Sequence, residues 1–62
     1  MKPEEISIEA LIKCARRELA YRKRVYPRLV DQERMSQAKM DHELSCMEGI
    51  VGILDKLNGA LL

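Results

Sequence analysis

Two stretches of this chain carry the hydrophobic period of an amphipathic helix, and Pro27 with a short polar link stands between them. That arrangement restricts the fold more than any other feature. In the first stretch Ile8, Leu11, Ile12, Ala15 and Leu19 recur at helical spacing and fall on one stripe, with Cys14, Tyr21 and Val25 widening it along one flank. In the second, Met40, Leu44, Met47, Val51 and Leu54 form one apolar line, and Met47, Ile50, Leu54, Leu57 and Leu61 form another that shares two members with it. Pro27 lacks the amide that a helix interior needs and crowds the turn before it, while Tyr26 is pushed away from helical angles. The first helix is therefore expected to end near Val25, or to kink there and run on to about Val30. Ser7 and Ser36 are the expected N-caps, and Asn58-Gly59 the expected C-terminal stop.

These signals predict an all-α chain, an antiparallel helical hairpin occupying residues 1–62 as a single unit. The expected helices cover about 7–25 and 36–58, with a bend over about 26–35 and a short lead-in over Met1–Ile6. Sixty-two residues without Phe or Trp leave a core of Leu, Ile, Val, Met and Ala, which suits helix-on-helix packing. So small a core is marginal alone. The apolar face of the second helix is also wider than one partner helix covers. A homodimer in the form of a four-helix bundle is expected, with Met47, Ile50, Leu54 and Leu57 in the shared core. The four methionines supply adaptable contacts, and Gly49 and Gly52 permit close approach of a partner backbone. The heptad spacing is not sustained cleanly enough to specify a parallel coiled coil.

Charge is distributed unevenly behind a net value of +1. Residues 13–28 hold seven Lys or Arg against one acid, and residues 31–62 hold three against six. A bend centred near residues 30–31 would set Arg17 near Glu43 and Lys13 near Glu48, accounting for part of the asymmetry. It would leave Arg22, Lys23, Arg24 and Arg28 with too few acidic neighbours, and these residues with Tyr26 form the candidate partner-binding surface. A protein contact there is expected. The alternative is nucleic acid, with the Arg16–Arg28 cluster following phosphates and Tyr21 or Tyr26 stacking on bases, although a sequence pI near 7.8 is low for a dedicated nucleic-acid binder.

Catalytic and metal chemistry receive little support. His42 lies between Asp41 and Glu43, but adjacent residues on a helix point in different directions. The same register would bring Cys14, Glu18, His42 and Cys46 together, all residues of metal-ligand type. Structural zinc sites, however, use closely spaced Cys and His, so the cysteines are expected to be reduced and structural. Neither an enzyme activity nor a cofactor is expected. Two distant cysteines, no secretory leader and no long uninterrupted apolar run lead to the expectation of a reduced, cytoplasmic protein that does not enter the membrane.

The stretch Arg16-Arg17-Glu18-Leu19-Ala20-Tyr21-Arg22-Lys23-Arg24-Val25-Tyr26-Pro27-Arg28-Leu29-Val30, followed by Arg34-Met35-Ser36, Glu43 and Met47-Glu48-Gly49-Ile50, resembles a set of short, functionally uncharacterised phage and prophage proteins. Their pattern reads RRE(L/I)AxRxxVYPxxV, then RM(S/T), then E and ME-x-I. The resemblance covers roughly two-thirds of the chain. It implies a phage-derived accessory protein acting inside a bacterium by binding a host or phage macromolecule. In the pattern a Gly often precedes the Arg-Met pair, whereas Glu33 stands there in this chain.

Overall fold

The computed structural model describes residues 2–61, leaving Met1 and Leu62 outside the account. After a single 3-10 turn at Pro3–Glu5, the chain forms two helices, α1 (Ile8–Asp31) and α2 (Gln37–Leu61), packed against each other as a hairpin. Both N-termini are capped as their sequences indicate. The Ser7 hydroxyl accepts from the Ala10 amide at 3.2 Å, and the Ser36 hydroxyl accepts from the Lys39 amide at 3.1 Å, each satisfying one otherwise unpaired first-turn donor.

Of the two courses open at Pro27, the chain takes the continuous one. α1 passes through the proline and ends at Asp31. Pro27 removes the hydrogen bond its amide would make to Lys23, but its ring is exposed and only the last turn of the helix follows it. The expected bend over 26–35 accordingly shrinks to residues 32–36. This is a helix C-terminus of the Schellman type. The Arg34 amide donates to the Leu29 carbonyl at 2.8 Å, the Glu33 amide donates to Val30 at 3.0 Å, and Glu33 adopts φ 58°. Glycine is the usual occupant of that left-handed position because it has no Cβ to crowd the backbone. α2 also outruns its expected stop at residue 58: no glycine takes a positive φ, and the helix absorbs Gly59 and continues to Leu61.

The seam between the helices has a regular period. On α1, Ile8, Ile12, Ala15, Leu19, Arg22, Tyr26 and Leu29 are buried or half-buried and follow an alternating four–three spacing. On α2, Met40, Leu44, Met47, Val51, Leu54 and Asn58 do the same. This is the packing rhythm of paired helices whose side chains interdigitate. Ile12, Ala15 and Met47 are its most enclosed residues. Arg22 is the one charged member on either side of the seam.

Because α1 is longer than expected, the bend is centred near residue 34 and the helices are offset from the register anticipated above. Arg16 of α1 reaches Asp55 of α2, its Nη2 donating to both carboxylate oxygens at 2.9 Å. Arg22 reaches Glu43. The expected pairs Arg17–Glu43 and Lys13–Glu48 do not form among the described residues. The offset also separates the cysteines. Cys14 lies beside Arg17, and Cys46 lies 3.5 Å from His42 on its own helix. Glu18 is engaged by Arg22. Among the described residues, no three potential metal ligands come together.

Candidate binding surface

The basic segment divides into two parts with different surroundings. Arg22 belongs to the hairpin. Its Nε donates to Glu18 Oε1 at 2.9 Å, and its Nη1 lies 3.5 Å from both the backbone carbonyl and Oε2 of Glu43. Its guanidinium also stands 5.8 Å from the centroid of the Tyr26 ring. The Glu18 hydrogen bond holds the Arg22 pKa above its ordinary value against partial desolvation, with smaller favourable contributions from Tyr26 and Glu43. The expectation that Arg22 lacks acidic neighbours is therefore corrected. It failed because the offset of the helices brings Glu43 to the guanidinium. Tyr26, placed with Arg22 on the candidate surface, is a half-buried seam residue.

The rest of the cluster faces outward. Lys23, Arg24 and Arg28 are exposed, and among the described residues none pairs with a carboxylate. Because α1 is continuous through Pro27, Arg24 and Arg28 fall on the same helical face as Lys13 and Arg17, both also exposed and unpaired. Four cations thus follow one face of one helix over about 22 Å at the helical rise of 1.5 Å per residue. Tyr21 lies within this row, and the Arg24 guanidinium stands 5.7 Å from its ring centroid. Lys23 lies on the adjoining flank. The row points away from α2 and forms no ion pair among the described residues, although Asp31 lies on the same face one turn beyond Arg28. Lys13 and Arg17, expected to pair within the hairpin, instead extend the outward basic surface. The spacing of residues 13, 17, 24 and 28 is visible in the sequence, but it becomes one face only when the helix does not stop at Pro27.

A second surface is apolar. Of the residues expected in an oligomer core, Met47 is buried within the hairpin and Leu54 is half-buried, whereas Ile50 and Leu57 remain 46% and 50% exposed. Ile53, absent from the expected set, is 68% exposed, and Leu61 is 69% exposed. Cys46, Ile50, Ile53, Leu57 and Ala60 repeat the four–three spacing on the side of α2 away from α1. Gly49 borders this stripe, and a Cβ built on it would meet no atom within 4 Å.

The described residues enclose no pocket, and no helix among them is long and apolar enough to cross a membrane. Comparison with protein-family models, with curated proteins and with solved structures finds no match.

Proposed function

We propose that this chain is a non-enzymatic, phage-derived accessory protein: a small oligomeric helical module that acts in the bacterial cytoplasm by binding an acidic surface on a host or phage protein. The observation that carries this reading is the row Lys13, Arg17, Arg24 and Arg28, which has no carboxylate partner among the described residues. A row of like charges repels itself, and an anionic partner relieves that repulsion. Tyr21 and Arg24 supply the residue types that most often anchor protein contacts, a flat amphipathic ring beside a planar guanidinium. The phage origin rests on the resemblance of residues 16–30 and the segments after them.

Nucleic acid is the second reading, and one observation favours it: the cations are collinear and include an aromatic side chain able to stack. The two readings predict different salt responses. Four phosphate contacts give a slope of about −3.6 in log affinity against log salt, or roughly a 150-fold loss between 50 and 200 mM. Fluorescence anisotropy with labelled duplex and single-stranded DNA across that range separates them. The protein reading expects only weak binding, no tighter than the micromolar range typical of non-specific contacts. Tight binding with the steep slope, abolished by Arg17→Glu/Arg24→Glu, would establish the nucleic-acid reading instead.

A further inference from the structure

We infer that the outer stripe of α2 is an isologous docking surface for a second copy of this chain, with the two α2 helices antiparallel about a two-fold axis near Ile53. This inference builds on the oligomeric part of the reading above and is independent of what the basic row binds.

The first argument is area. The hairpin exposes 4940 Å². A compact monomer of its 7.2 kDa mass is expected to expose roughly 4100 Å². The excess of about 800 Å² equals what one partner contributes to a stable interface of standard size. Ile50, Ile53, Leu57 and Leu61 are the exposed large hydrophobic residues of α2. No charged residue interrupts the stripe positions Cys46, Ile50, Ile53, Leu57 and Ala60.

The second argument identifies the occupant. The stripe is similar on either side of its middle, with Ile50 and Cys46 before Ile53 and Leu57 and Ala60 after it. A two-fold axis there lets Ile50, Ile53 and Leu57 interlock with their own copies. It also carries Cys46 of one protomer toward Ala60 of the other. Gly49 leaves open space at the edge of the stripe for the facing helix to approach. Isologous contacts of this kind are the commonest way a small chain closes an assembly.

The third argument sets the direction. A parallel arrangement would place both bends, and with them both basic rows, at the same end. It would also oppose Lys39 to Lys39 and Lys56 to Lys56, since both lysines lie on or beside the stripe face. The antiparallel arrangement separates all of these charges and sets the two helix dipoles antiparallel, each N-terminus beside the other's C-terminus. The result is a four-helix bundle that carries one bend at each end.

Crosslinking and sedimentation test the inference together. In a Cys14→Ser background, Ala60→Cys adds a second thiol 14 residues from Cys46, about 21 Å along the same helix and too far for a short bis-maleimide to bridge internally. Dimers crosslinked between Cys46 of one protomer and the introduced thiol of the other are expected, with none from the Cys14→Ser chain carrying Cys46 alone. Ile53→Lys should weaken dimerisation at least about a hundredfold, because symmetry introduces the lesion twice. Its helicity should be retained, since Ile53 is largely exposed within the hairpin. A wild-type monomer at the highest attainable concentration would overturn both the inference and the oligomeric reading, leaving the basic row unaffected. A wild-type dimer that crosslinks Cys46 to Cys46, or that Ile53→Lys does not weaken, would overturn this interface alone.

Discussion

Arg22 occupies a seam position that its neighbours fill with apolar or aromatic side chains, and replacing it separates its structural role from any role in partner binding. Its side chain is 22% exposed, while Glu18 and Glu43 are 45% and 35% exposed, so solvent screens much of their attraction. The Glu18 pair has i,i+4 spacing and good length, and contributes about 0.3–0.5 kcal/mol. The two contacts to Glu43 are at the outer limit of hydrogen bonding and add at most a few tenths of a kcal/mol. Packing of the aliphatic stem along the seam adds about 1 kcal/mol. Arg22→Ala should therefore destabilise the protein by about 1–2 kcal/mol. Arg22→Leu replaces a partly desolvated ion network with an apolar side chain suited to the seam, and should be neutral or stabilising. Arg22→Glu would place three carboxylates together and should be the most damaging, at about 2–3 kcal/mol. Thermal unfolding followed by circular dichroism at one fixed protein concentration reads these differences, at about 4–8 °C per kcal/mol for a domain of this size. An Arg22→Ala variant as stable as wild type, or Arg22→Leu less stable than Arg22→Ala, would refute the placement of Arg22 in the seam.

Other local features give independent tests by the same unfolding measurement. Glu33→Gly removes the left-handed strain at φ 58° but loosens the unfolded chain, for a net stabilisation of about 0.5–1 kcal/mol; Glu33→Ala should give no such gain. Pro27→Ala restores the amide donor to Lys23 and should stabilise by about 1–3 kcal/mol, with helical content unchanged or slightly higher. Gly52→Ala should add about 1 kcal/mol, because a methyl group there meets no atom within 4 Å. Cys14 is exposed and free and lies on α1, away from the outer stripe of α2, so a thiol reagent should modify it in the native protein; its protection until unfolding would contradict its placement.

Much of the hairpin is legible in local chemistry. Ser7 and Ser36 mark the helix starts, and the apolar periods mark the faces that meet. Pro27 is the residue on which the rest turns. Its tendency to end a helix is outweighed by a full turn beyond it, Arg28–Asp31, closed by the Schellman hydrogen bonds of Glu33 and Arg34. Those extra residues move the bend, and the moved bend changes every contact between the helices. Arg22 then acquires Glu43, and Cys14 and Cys46 lose each other. The outer stripe is partly legible: Ile50 and Leu57 stand out in the sequence, while Met47 and Leu54 belong to the seam side and Ile53 falls outside the expected set. The apolar face of α2 is broad enough for two stripes, and the one used by the hairpin becomes distinguishable only once α1 covers it.

The functional claim rests on the outward cations, and affinity capture tests it most directly. Immobilised wild-type protein and a Lys13→Glu/Arg17→Glu/Arg24→Glu/Arg28→Glu variant of matched helicity are exposed to bacterial lysate, with and without nuclease treatment, at moderate salt. The proposed function predicts at least one acidic protein retained by the wild type and lost with the variant, and retention that does not depend on nucleic acid. Retention that disappears with nuclease treatment, or an identical set of proteins on wild type and variant, would contradict it.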